Sequence, residues 1–225
     1  MFILVVSFYG CSKKSDSTNK TNDIWDIYKQ GIPKFVTTNY IELSKIYRIS
    51  KFRSSEGHDY SDAFEHCRSM KHYFEPRSNV DWSQIQIYST VRGKITRLDE
   101  EWAGTKLEIE STDYPAFRFS ISHINLSVKR NVNDIVSLGE LLGNHIGSQT
   151  MSDIAVMVND PTRQGRLVSY FEVLTDSLFA EYSDRGVISR DEMIIPKAVR
   201  DSNPLSCNSD TFTSADTIEN WVILK

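Results

Sequence analysis

The chain has 225 residues, 40% of them hydrophobic and 25% charged, with a formal net charge of −4. That composition fits one large globular domain with small additions and excludes a disordered chain, a fibrous protein and a polytopic membrane protein. The acidic balance removes non-specific nucleic-acid binding, which needs a basic field, and three cysteines are too few for a disulfide scaffold.

Met1 to Tyr9 (MFILVVSFY) is almost wholly apolar. It is far short of the roughly 20 residues a membrane-spanning helix needs, and it fits the apolar part of a secretory signal. Gly10-Cys11 follows, then the polar run SKKSDSTNKTND. A small residue before a cysteine and a polar tether after it is the layout of a bacterial lipoprotein signal. The expected organisation is a signal over 1–11 with lipidation at Cys11 and a tether over 12–22. The expected location is the bacterial cell envelope, with a lipid anchor in the membrane and the chain facing the periplasm or exterior. The competing reading is an ordinary secretory signal in which Cys11 has no role.

With Cys11 set aside, Cys67 and Cys207 remain. Outside the cytoplasm they either pair or stay as two separate buried thiols. A bridge would close a loop of about 140 residues, worth about 4 kcal/mol on the chain-entropy view.

From Ile24 to Ile49 apolar and aromatic residues recur without one period, in strand-like pieces. Ser54 to Pro76, rich in His, Asp and Arg, reads as a long functional loop. The middle of the chain reads as β-structure. Gln84–Ser89, Val91–Leu98 and Lys106–Ser111 alternate; Ile154–Val158 is a short buried run; Arg166–Leu174 reads as a further strand. Phe117, Phe119, Ile121 and His123 fall on one face of another strand, which directs His123 into a barrel or cleft. Helices are expected late: one over Ser177–Ser183, and one after Ser189, where Glu192 has capping-box spacing. The fold class is therefore mainly β, an antiparallel sheet or sandwich, with short helices near the C-terminus.

His58 and Asp62, in EGHDYSD, offer an imidazole and a carboxylate that can turn to one Zn²⁺ ion. Their other reading is a polar loop without metal. A neutral His123 at the wet end of its strand can bond a reacting water or carbonyl, or it is a core histidine satisfied locally. His66, Cys67 and His72 form a second cluster. Gly-x-Ser-x-Gly, His-Glu-x-x-His and Cys-x-x-Cys are absent from the sequence, so serine hydrolysis and zinc ribbons have no local support.

The order of these pieces resembles the lysostaphin-type zinc metallopeptidases, which cut peptides in peptidoglycan. The resemblance rests on FRSSEGHDYSD, IYSTVRGKITRL, LEIES, FRFSISHINL and NDIVSLGELLG, in that order, from about Phe52 to Val158. It implies a lysostaphin-like β domain over 23–174, His58 and Asp62 as zinc ligands and His123 as a catalytic residue. The segment 175–225 lies outside the family core and is expected to pack on it. Two departures stand out. Where the family carries His-x-His on its last catalytic strand, GSQTMSDIAVMV has no histidine, and Asp153 is the nearest substitute ligand. An insertion over Phe64–Pro76 brings Arg68, Lys71, His72, Tyr73 and Phe74, which suit either a carboxylated glycan or peptide ligand or a plug in a dead site. The expected function is a catalytically degenerate pseudoenzyme that binds peptidoglycan or an envelope protein. The alternative is an active zinc metalloendopeptidase on peptidoglycan peptides with an altered ligand set.

Overall fold

A computed structural model describes residues 23–225; the signal-like run, Cys11 and the tether lie outside the described residues. After a one-turn helix α1 (Ile27–Gln30), capped by the Asp26 carboxylate, come β1 (Ile46–Ser50), β2 (His72–Pro76) and β3 (Gln86–Tyr88). They are followed by β4 (Gly93–Glu101), β5 (Gly104–Ser111), β6 (Phe117–Leu126), β7 (Ile135–Val136) and β8 (Leu141–His145). Next are β9 (Ser152–Asn159) and β10 (Gly165–Val168), then helices α2 (Tyr170–Val173), α3 (Asp176–Ser183) and α4 (Lys197–Ser202). The chain closes with β11 (Cys207–Asn208), β12 (Thr211–Phe212) and β13 (Trp221–Ile223).

The expected fold class is what the structure has. Among the described residues one antiparallel sheet runs β13-β1-β2-β9-β6-β5-β4-β7, with β10 on β9 and β8 joining β6 to β3. The β4–β5 pair turns through Trp102 and Ala103, since Glu101 stands opposite Gly104. Gly104 has φ +88°, and a Cβ there would come within 2.9 Å of the Ile124 carbonyl, so the tight turn requires glycine. The last strand returns to the edge of the same sheet, where Val222 pairs with Ile49 and enters the main core beside Leu224.

Alternation divides the sheet into two faces. Phe74, Leu107, Ile109, Phe117, Phe119, Ile121, Ile154, Val156 and Val158 lie in the main core, under Tyr40, Tyr170, Phe171 and Tyr182. On the opposite face Ala155 and Met157 meet Phe52, Met70, Leu167 and Tyr60 in a smaller cluster.

Three sequence expectations are corrected here. The segment read as a loop to Pro76 ends in β2, which lies inside the sheet between β1 and β9. Residues 170–173, read as strand, are helical, because Ser169 and Glu172 form a reciprocal capping box that satisfies the first free amides. Ser189 makes no side-chain cap; a 3₁₀ turn spans Arg190–Met193, and α4 starts after Pro196.

Candidate functional site

The segment between β1 and β2 is fixed by charge and covalent chemistry. Glu65 accepts two hydrogen bonds from Arg53, each 2.8 Å, and another of 2.8 Å from Arg68, which also reaches Asp201 at 3.0 Å. Arg200, fully buried, donates to both oxygens of Asp216 and to the Arg53 carbonyl. Cys67 and Cys207 are joined in a disulfide, with Cα atoms 5.7 Å apart. Gly57 packs so closely on Tyr73 that a Cβ would overlap the Tyr73 hydroxyl at 2.0 Å. This framework carries His58 and Lys71 into the lining of a cavity of about 940 Å³.

At the floor, the Lys71 ammonium is 3.1 Å from Asp153 Oδ2 and 3.3 Å from His58 Nε2. It lies 4.9 Å and 4.8 Å from the ring centres of Tyr60 and Tyr73. Both charged partners are almost out of water, Lys71 at 5% exposure and Asp153 at 1%. Asp153 Oδ2 is also 3.2 Å from His123 Nε2. These are charge-pair distances whose angles fall short of a hydrogen bond, so Oδ2 has no aligned donor. Burial pushes Asp153 up, but Lys71 and His123 override it and hold the carboxyl far below its usual range. Burial would lower Lys71, and Asp153 reverses this and raises it. His123 is likewise lowered by burial and raised more by Asp153, for a net upward shift.

The histidine tautomers follow from their second nitrogens. His58 Nδ1–H donates to the Asp59 carbonyl at 2.9 Å, leaving the Nε2 lone pair toward Lys71. His123 Nδ1–H donates to the Ala103 carbonyl at 3.0 Å, and its Nε2 faces the Asp153 carboxylate at 3.2 Å, the place of a second N–H on the protonated ring.

His123 does not stay on the face of Phe119 and Ile121. Between Ile121 and Ile124 β6 has one more residue than its partner β5, and His123 has φ +66°. This bulge keeps Ile124 in the core and turns His123 onto the Asp153 side of the sheet. A non-glycine residue at positive φ is a costly local conformation of the kind found at functional sites.

Asp62 does not join the cluster. Its Oδ1 accepts the amides of Phe64 and Glu65, at 2.8 and 3.1 Å, and its Oδ2 accepts the Leu167 amide at 2.8 Å. It ties the loop to β10 and does not line the cavity. His72, from the second histidine cluster, is fully buried, with Nδ1 on the Ser50 carbonyl and Nε2 on the Ser169 hydroxyl. Burial lowers it to about 4.

Sequence reasoning passed over several residues that line or neighbour the cleft. His145, at the end of β8, is 1% exposed, accepts the Gly147 amide on Nδ1 at 3.2 Å, and has no partner for Nε2. Burial, then the charge of His123, lowers it to about 4. Trp82 and Trp102 flank the cavity, and Trp102 is 83% exposed at the β4–β5 turn. Glu75, Glu101 and Asp210 add carboxylates to its wall. A tryptophan inside the turn EWAG was the available signal for Trp102; a histidine flanked by glycines in GNHIG was the signal for His145.

A zinc ion does not fit this donor set as it stands. The space between His58 Nε2 and Asp153 Oδ2 already holds a cation, and Asp62 is committed to backbone amides. The cleft can seat a ligand against aromatic and polar walls, with a floor whose charges are internally paired.

No protein-family model matches the sequence, and no curated protein matches it. Among solved structures, a chain of the SpoIIQ–SpoIIIAH pore-forming complex is similar at 10% identity and TM-score 0.43, over 68% of this chain and 98% of that one. Pseudoalterin, described as an M23 metalloprotease from the deep sea, is similar at 20% identity and TM-score 0.36, over 59% and 74%. The catalytic domain of lysostaphin from Staphylococcus simulans is similar at 16% identity and TM-score 0.32, over 50% and 92%. The chain spans 46% of the similar CbpA structure from L. salivarius REN and 38% of a zinc-containing peptidase from Vibrio cholerae.

Proposed function

We propose that this chain is a cell-envelope lipoprotein whose lysostaphin-like domain binds peptidoglycan without cleaving it. The observation that carries the reading is the floor of the cleft. Lys71, Asp153 and His123 form a chain of charge pairs, with His58 Nε2 accepting from Lys71, beside an open, tryptophan-flanked cavity. Hydrolysis of the family type needs a metal to polarise the scissile carbonyl and a free imidazole to steady the developing oxyanion. Here the cation is a lysine, which cannot coordinate a substrate oxygen and a water as a metal does, and His123 faces a carboxylate. Binding needs less. Trp82 and Trp102 offer faces for sugar rings or apolar groups, and Glu75, Glu101 and Asp210 attract amines, both of which peptidoglycan presents.

The test is sedimentation of the mature protein with purified, insoluble peptidoglycan, followed by assay of released amino groups. Saturable co-pelleting weakened by Trp102→Ala, with no release, supports the reading. Absence of co-pelleting points to a protein partner in the envelope. Release that depends on added zinc and on His123 supports the active peptidase instead. Anchoring at Cys11 is tested separately by fractionating cells that express the full chain: Cys11→Ser should move the protein from membrane to soluble fractions, and unchanged fractionation overturns the lipid anchor.

A further inference from the structure

The floor of the cleft carries two histidines and a carboxylate close to a buried lysine. Metal-binding histidines commonly donate their remote N–H to a carbonyl or carboxylate, which fixes the tautomer and aims the other nitrogen at the ion. His58 and His123 both do this, through the Asp59 and Ala103 carbonyls, and each presents Nε2 to the charge cluster. Asp153 supplies the anionic oxygen from the neighbouring strand, buried and without an aligned donor. The positive charge beside them is Lys71 Nζ, which contacts Asp153 Oδ2 at 3.1 Å and His58 Nε2 at 3.3 Å, while His123 joins through Asp153 Oδ2 at 3.2 Å. Tyr60 and Tyr73 enclose it, with ring centres at 4.9 and 4.8 Å. A zinc ion at that point would need Asp153 and His58 to move inward by about 1 Å, since Zn–N and Zn–O bonds are near 2.0–2.2 Å, and His123 to follow Asp153 to it.

We propose that Lys71 is a tethered replacement for a metal ion, and that removing its ammonium turns His58, His123 and Asp153 into a divalent-metal site. The inference rests on reading the cleft as non-hydrolytic. It adds that the cluster's cation is supplied by the chain itself, which frees the domain from metal supply. A bound zinc would complete its shell with water from the open cavity.

The experiment uses the mature, disulfide-bonded protein, stripped with chelator and then dialysed against zinc. Metal content is measured by mass spectrometry, and thermal unfolding is followed with and without zinc. The native chain should retain no stoichiometric zinc, and its Tm should not move. Lys71→Ala should take up close to one equivalent and gain several degrees in Tm. Adding His58→Ala to that variant should abolish both, which separates this site from adventitious surface binding. Lys71→Met, which keeps the packing of the lysine stem, is the second variant. The proposal is overturned if the native chain binds zinc through His58, if both variants fold and take up none, or if neither folds even with zinc present. Peptidoglycan binding is read in a separate assay, so failure of the functional reading and failure of this inference are distinguishable.

Discussion

Replacing Lys71 by Met removes the ammonium and leaves most of its volume, so it isolates the charge pair with Asp153. The two groups are 3.1 Å apart, with side-chain exposures of 5% and 2%. Breaking a buried pair by deleting one partner typically costs about 3–5 kcal/mol, because the other charge stays buried and uncompensated. His123, 3.2 Å from the same oxygen, offsets part of that loss when protonated, which places the expected cost near the lower end, about 3 kcal/mol. For a chain of this size that corresponds to a fall in Tm of about 6–12 °C. Lys71→Met with Asp153→Asn removes both charges and should recover at least half of the loss. The assay is urea unfolding in chelator, with the disulfide intact and slopes compared so that midpoints report stability. The pH dependence has a fixed sign. The native Asp153 carboxyl sits below its unfolded value, so its stabilisation is present above about pH 4 and fades on further acidification. In the Lys71→Met protein that carboxyl rises, and the stability gap to the native chain narrows toward pH 4. A single-variant cost under 1 kcal/mol, or a double variant as unstable as the sum of the singles, would mean that Lys71 and Asp153 do not act as a buried charge pair.

Acid sensitivity should begin well above the carboxylate range. His72 and His145 are held to about 4 by burial, so the unfolded chain binds more protons between pH 6.5 and 4, and stability falls as pH drops through that window. The slope is at most about 1.4 kcal/mol per pH unit for each group, and urea midpoints at pH 7 and pH 5 check it. His123, raised by Asp153, works in the opposite direction: its contribution is complete below its unfolded value and is lost as pH rises through the folded one. Replacing Cys67 and Cys207 by serine should cost about 4–5 kcal/mol on the chain-entropy view, given the 140-residue separation, and an unchanged Tm would contradict this. Trp102→Ala should weaken peptidoglycan binding while leaving Tm within a degree or two, since the ring is 83% exposed.

Alternation made β5 and the first half of β6 legible, because each strand buries one face in the main core. The same rule failed at His123. One inserted residue in a strand reverses every later side chain, and a bulge leaves no compositional mark when its positive-φ residue is histidine rather than glycine. The Ser169–Glu172 capping box lies inside the β-branched and aromatic run RLVSYFEVL, whose composition reads as strand. His58, Asp153 and His123 were singled out from the sequence, and the structure brings these three to one cluster. Asp62 was singled out with them and stands elsewhere, because its spacing to His58 says nothing of which backbone amides compete for its carboxylate. Lys71 was noted only as a cation in an insertion. Its place at the centre of the site depends on how a folded loop enters β2, and long-range placement of that kind has no local sequence signal.

A degenerate cleft should bind peptidoglycan without cutting it. The most direct measurement is incubation of the mature protein with purified peptidoglycan, with and without zinc, scoring bound protein and released amino groups in the same tubes. Protein in the pellet and no release are expected under either condition. Zinc-dependent release that disappears in both His58→Ala and His123→Ala would contradict it.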